Sequence, residues 1–430
     1  MVLAASVFLG ILFWVYQAVL SNKSSSNNKT VELSYWGLGE DEQVMQAVIE
    51  KYQLSHPKVK ITYNKQTILN YRTRVQTQME SGEGPDIVEI HSSWIPMFWE
   101  DLSPLPTSMI STKDFEKTFY PVAKESLTWQ GNIYALPLEV DGLALYYNED
   151  ILKGVGLETP KTWQEFIDSA RKVTVKNQQG QIQTAGAALG STNNVDYWPE
   201  ILGLLFLQQP DGSLTQPANQ AGGEVLQFYT SFITDPKNKT WDVTLPSSTQ
   251  MFSDGKLAFY FGPLSQAQIF QANPNLHFKI APVPQLPGRN VDWGSFWAAG
   301  VSGTSKNPKE AWEFLNYLLS PETQQLIYQQ HAQAQTPARI FSRVDMSDLL
   351  INDPIMGPFV SQAPFYRSWY LNSQTGDHGI NEEMINLYQT AIDGVMGGQL
   401  PSVLLQNTQA SITDVFNKYS RRVAATPGGN

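Results

Sequence analysis

Glu139 and Asp141 stand two residues apart at the start of a strand-like run, so both carboxyls face one side. Such a pair can act as the acid and base of a glycoside hydrolase, as can carboxylates brought together from distant positions. The local reading favours a solvated rim, and no catalytic residue is assigned. The five histidines, His56, His91, His277, His331 and His378, show neither H-E-x-x-H nor H-x-H spacing, so no metal site is expected. There is no G-x-x-x-x-G-K-[ST] and no G-x-S-x-G. Gly37-Leu38-Gly39 lacks the third glycine of a dinucleotide fingerprint and runs into Glu40 and Asp41, which would repel phosphate. It reads as a turn before a helix, and no cofactor is expected.

What remains is binding chemistry. Trp and Tyr offer flat apolar faces on which the C–H faces of pyranose rings stack, while Asn, Gln, Asp and Glu reach hydroxyls. Of the 12 tryptophans, Trp163 and Trp312 lie at helical core spacing and read as packing. Trp36, Trp94, Trp198, Trp293, Trp297 and Trp369 lie at strand ends, turns or helix starts, where an aromatic more often meets a ligand. Charged residues are only 16%, against about 25% in ordinary domains, and uncharged polar residues fill the gap. The 29 Lys and Arg against 40 Asp and Glu give a net charge of −11, which argues against nucleic acid as a partner. With no cysteine, disulfides, thiolate zinc sites, thiol nucleophiles and a lipid-bearing N-terminal cysteine are excluded.

The elements that must position these residues alternate. The 430 residues are enough for two or three domains, at roughly 100–200 each. Strand signals at 31–36, 59–63 and 86–90 alternate with helical spacing at 41–55 and 71–81. This β-α-β-α-β order specifies an α/β fold with a parallel sheet. A second block begins with a strand at 142–148, then a capping box at Thr162–Glu165 opening a helix. Helical stretches follow at 198–207 and 225–232, and strands at 256–261, 277–283 and 295–302. A helix starts at Asn307-Pro308, and after Arg339 only helices are expected, including 381–396 and 401–419. Residues 1–20 carry no charge and would span about 30 Å as a helix, one hydrocarbon thickness. They read as a transmembrane anchor, or a signal segment if cleaved. Residues 21–30 are a polar flexible linker, and 424–430 a frayed tail.

From Val31 onward the chain resembles the maltose-binding-like solute-binding proteins (family 1) of bacterial ABC sugar importers. The resemblance rests on VELSYWGLGEDEQVMQAVIEKYQLSHPKVKITYN, on SGEGPDIVEIHSSW, on YALPLEVDGLALYYN with PKTWQEF, on MFSDGKLAFYFGP, and on APVPQLPG with AAGVSGTSKNPKEAWEFLNYLL. These segments occur in order over about 390 residues. The resemblance implies a two-lobe periplasmic-binding-protein fold of the hinge-closing type II. Lobe 1 would comprise 31–138 plus 299–337, and lobe 2 would comprise 142–296 plus 340–423. It implies lobe-to-lobe crossings at 138–143, 295–301 and 335–339. It also implies ligand contacts at Trp36, Gly37 and Glu40, at Ser92, Ser93 and Trp94, at Asp141, Trp198, Gly262, Phe296 and Trp297, and at Trp369. Trp293 joins them from its strand-end position.

The expected function is an extracytoplasmic receptor of an ABC importer, binding a mono- or oligosaccharide and delivering it to separate permease subunits and, through them, an ATPase. It would be a monomer, not an enzyme, held on the outer face of the cell membrane by residues 1–20. A binding protein for a polyamine, peptide or organophosphate is the alternative, with a glycoside hydrolase third.

Overall fold

Alternation in V-E-L-S-Y-W-G turns Leu33, Tyr35 and Gly37 inward and makes the first strand, β1 (Val31–Gly37). Helix α1 (Glu42–Ser55) follows, with Asp41 as N-cap accepting from the Gln43 N–H at 3.0 Å. Its buried face is Val44, Met45, Val48, Ile49 and Tyr52, a helical stripe against the sheet. Then come β2 (Val59–Lys65), α2 (Tyr71–Glu80) and β3 (Ile87–His91). β1 runs parallel to both β2 and β3, with Leu33 opposite Ile61 and Tyr35 opposite Ile87. Every residue of β3 is buried because strands flank it on both sides. Short strands β4 (Leu102–Ser103) and β5 (Leu136–Pro137) complete this part of the chain.

The second block contains β6 (Ala144–Asn148), α3 (Trp163–Val173), β7 (Val175–Lys176), β8 (Ile182–Ala187), α4 (Trp198–Gln208), α5 (Gln220–Thr234), β9 (Leu257–Gly262) and β10 (Phe278–Ala281). The chain returns through β11 (Asp292–Trp293) and β12 (Trp297–Ser302) to helices α6 (Pro308–Leu318) and α7 (Pro321–Ala334). It ends with β13 (Tyr366–Arg367), α8 (Ile380–Met396) and α9 (Pro401–Ser420). This computed structural model describes residues 30–334, 336–337 and 339–420. The expected anchor at 1–20, the linker up to residue 29 and the tail at 424–430 lie outside the described residues. Among the described residues, no helix is long and apolar enough to cross a membrane.

Two sheets result. The first has six strands in the order β2-β1-β3-β12-β4, with β5 also paired to β12. β12 enters antiparallel to β3, placing Trp297 opposite His91. The second has five strands in the order β10-β6-β9-β8-β7. Its core is aromatic, with Phe166 5.2 Å from Phe259 and Trp163 5.7 Å from Phe261.

Two expectations need correction. β8 (I-Q-T-A-G-A) was absent from the strand signals. Its Ala and Gly have poor strand propensity, but they let α3 close onto the sheet: a Cβ on Gly186 would sit 1.9 Å from the Ala170 carbonyl oxygen. The region after Arg339 is not purely helical either, since β13 pairs in parallel with β11. A two-residue strand carries no periodicity to read.

The capping box at the start of α3 forms as the sequence indicates. Thr162 Oγ1 accepts from the Glu165 N–H at 3.2 Å, and Glu165 Oε2 accepts from the Thr162 N–H at 3.1 Å. Thr162→Ala is expected to lower stability by about 1 kcal/mol, read as a lower urea midpoint. An unchanged midpoint would remove the cap from the account.

Candidate ligand cleft

Three chain segments connect the sheets and bond to one another. The first, around Leu138–Leu143, is the central one. Its Leu138 N–H donates to the Trp297 carbonyl at 3.0 Å, its Leu143 N–H to Trp293 at 3.0 Å, and its Asp141 carbonyl accepts from Ser295 at 2.8 Å. The third segment joins through Val140 N–H to the Ile340 carbonyl at 3.1 Å. Close approach is built in at Gly142, where a Cβ would lie 2.2 Å from the Trp293 carbonyl oxygen.

Above these segments, between the lobes, lies a cavity of about 1010 Å³. That is the upper end of the range for small-molecule sites, large enough for several linked rings. Leu38, Gly39, Glu89 and His91 line it from the first lobe, and Tyr197, Glu200, Leu264 and Asn372 from the second. The connecting segments supply Glu139, Asp141, Phe296, Trp297 and Arg339.

An ion network stands at its base. Arg339 places Nε 3.1 Å from Glu40 Oε1 and Nη1 3.3 Å from Glu139 Oε2. His331 Nε2 lies 2.8 Å from Glu40 Oε2. Glu89 accepts from the Leu38 and Gly39 N–H groups at 2.7 and 3.4 Å. Gly39 leaves room for the guanidinium here, because a Cβ would fall 1.5 Å from Arg339 Nη2. On the opposite wall Asp141 accepts from Gly142 at 2.7 Å and from Leu264 at 3.2 Å. Glu200 accepts from the Ser373 N–H at 2.6 Å. Tyr197 caps α4 with φ of 58°, a left-handed conformation unusual for a tyrosine, and its hydroxyl accepts from Gln266 at 2.8 Å.

Burial shapes the acidity of these groups. It pushes Glu89 up to about 6, partly offset by Arg339, and Glu200 up to about 7. Burial and then the neighbouring Glu139 push Asp141 up to about 8. Burial also raises Glu40, but Arg339 and His331 outweigh it and hold that carboxyl below its usual value. Burial depresses His91 to about 3, so its ring is neutral.

A sign follows for stability. Glu89, Glu200 and Asp141 have folded pKa values above their unfolded ones, so their stabilising contribution is complete below about pH 4 and is lost as pH rises through about 6 to 8. The urea midpoint is therefore expected to fall between pH 6 and pH 9. A flat or rising midpoint over that window would contradict it.

The family model for bacterial extracellular solute-binding proteins matches residues 36–325. The chain belongs to that family. The maltotriose-binding protein of Pyrococcus abyssi is 24% identical over 396 residues, covering 89% of this chain and 79% of its own. The melibiose/raffinose/stachyose-binding protein MelE of Bacillus subtilis is 22% identical over 333 residues, covering 73% and 76%. Among solved structures, the sugar-binding protein MalE from Xanthomonas citri superposes with a TM-score of 0.73 at 17% identity, covering 93% of this chain and 100% of that one. A cyclo/maltodextrin-binding protein complexed with maltotetraose gives 0.70 at 17%, covering 94% and 100%. The two-lobe α/β fold of the maltose-binding type is therefore shown.

Of the residues singled out in sequence, this solute-binding protein brings Asp141, Trp293, Phe296 and Trp297 to the cavity wall. Trp293 is fully buried there, its Nε1 3.3 Å from Asn372 Oδ1 and its ring packed on Gly203, so it forms floor rather than an open face. Glu40 stands behind Arg339, in a small hollow beside the cavity.

The others do not line the cavity. Trp36 is half-buried against the first core, and its carbonyl accepts from the Tyr71 hydroxyl. Ser93 is buried between His91 and Asn381. Trp94 is fully buried, stacked on Phe98 and edge-on to Trp297. Trp198 packs at the first turn of α4, leaving the wall to Tyr197. Gly262 ends β9, and Pro263 and Leu264 take the wall. Trp369 packs on Tyr370, Tyr388 and Phe416.

Glu139 and Asp141 are not on a solvated rim: both line the cavity in a buried setting. Sequence reasoning did not single out Glu89, Tyr197, Glu200 or Arg339 as site residues. Two carried a signal, since Glu89 and Glu200 are lone carboxylates inside the apolar runs IVEI and WPEILGLLFL. Among the described residues, no cluster of three or more His, Asp or Glu side chains could hold a metal ion.

Proposed function

We propose that this chain is the extracytoplasmic receptor of an ABC importer that captures a mono- or oligosaccharide between its lobes and passes it to separate permease subunits. The observation that carries this reading is the inter-lobe cavity of about 1010 Å³, with Trp297 and Tyr197 beside carboxyl and amide groups. Rings stack on the aromatics, and hydroxyls bond to Glu139, Asp141 and Asn372. The relatives named for maltotriose and for melibiose, raffinose and stachyose support the sugar class. The lobes divide as 31–138 plus 299–337 and 142–296 plus 340–423, and the connecting segments act as the hinge. Closure expels water and strengthens the polar contacts. The chain acts as a monomer without enzymatic activity, and residues 1–20 hold it at the membrane.

A thermal-shift panel of mono- to tetrasaccharides tests the reading, because a ligand bound to the native state raises its melting temperature. At least one sugar is expected to shift it. No shift with any sugar at millimolar concentration would overturn the proposal.

A further inference from the structure

The charge on the cavity wall is lopsided. Asp41, Glu89, Glu139, Asp141, Glu200 and Asp353 line it against two cations, Lys65 and Arg339. Both cations are already engaged, Lys65 with Asp41 at 3.8 Å and Arg339 with Glu40 and Glu139. Asp141 and Glu200 accept only from neutral backbone and hydroxyl donors. Glu89 lines the cavity at 1% exposure, and its Oε1 has no hydrogen-bond partner among the described residues. Burial pushes Asp141 and Glu200 toward their protonated forms, and a cation entering beside these carboxyls favours ionisation and pairs with the charge. Tyr197 and Trp297 add π faces, which attract cations as well as sugar C–H groups.

Resting on the sugar reading, we infer that the ligand carries an ammonium group, as an amino-sugar oligosaccharide does, and that sugar acids are excluded. The cavity's size favours linked rings over a thin linear chain, which would leave most of it unfilled. The same ammonium chemistry could come from a linear polyamine, so the test carries both sources.

Calorimetry near pH 6.5 in low salt would compare a glucosamine trimer, its N-acetylated form, a glucose trimer, a galacturonate trimer and spermidine. The glucosamine trimer is expected to bind at least roughly tenfold tighter than either neutral trimer, with the gap narrowing in high salt and the uronate weakest. Asp141→Asn and Glu200→Gln, each removing a carboxyl that a bound ammonium would draw into its ionised form, are expected to shrink the amine-to-neutral ratio. If neutral trimers bind and the amine gains nothing, the inference falls and the sugar reading stands. If spermidine alone binds, ammonium recognition stands with a linear source and the sugar reading falls. If nothing binds, both fall.

Discussion

Arg339→Leu is expected to lower folding stability by about 3–5 kcal/mol at alkaline pH, the scale for removing one partner of a buried ion pair. Leucine keeps much of the volume, so the loss is electrostatic. Arg339 faces Glu40 at 3.1 Å and Glu139 at 3.3 Å, and its charge also opposes the burial that raises Glu89. Without it three carboxyls share a buried pocket with His331 alone beside Glu40. Their folded pKa values rise, those of Glu89 and Glu139 further above the unfolded ones and that of Glu40 up from the lowered value Arg339 helps to maintain. Protonation relieves that repulsion, so the deficit is smallest at acid pH and grows as pH rises through the raised values. Urea melts of both proteins at pH 5 and pH 8 check this. Equal midpoints at pH 8, or a larger deficit at pH 5, would show that Arg339 does not hold the network together. Gly39→Ala attacks the same point sterically, since its methyl would displace the guanidinium.

The first lobe was legible because its strands alternate and its helices carry full apolar stripes. Leu33 and Tyr35, then Val44 through Tyr52, give both periods over long enough stretches. β8 was not legible, because its residues are chosen for the close approach of α3 rather than for strand propensity. The cleft divides the same way. Asp141 and Trp297 were readable because they lie on the connecting segments themselves. Trp94, Trp198 and Trp369 also stand at turns or helix starts, but all three are packed over: Tyr71 and Trp297 lie against Trp94, and Phe416 lies against Trp369. Local position says where a side chain begins, and only distant packing says whether water or ligand can reach it. The acids needed a different question, namely why a carboxylate stands alone in an apolar run. Glu89 and Glu200 answer it by lining the cavity.

Trp297 is the residue whose loss should weaken binding most. It begins β12 where the second connecting segment enters the first sheet, so its ring stands at the boundary of both lobes. It lies on the cavity wall and is only half-buried, unlike Trp293 and Trp94, which are fully buried. His91 meets it edge-on at 5.2 Å and Trp94 at 5.4 Å, which fixes the ring before any ligand arrives. A pre-fixed aromatic loses little conformational entropy on binding, the condition under which tryptophan becomes a dominant contact. Trp297→Ala is therefore expected to weaken binding of the best ligand from the sugar panel by about 2–4 kcal/mol, roughly 30- to 1,000-fold in Kd. Trp297→Phe keeps a ring face and should recover part of that loss. Calorimetry on both variants, with circular dichroism to establish that each is folded, measures the effect. If a folded Trp297→Ala protein binds within threefold of the parent, the stacking surface lies elsewhere on the wall, and Tyr197 is the next ring to remove.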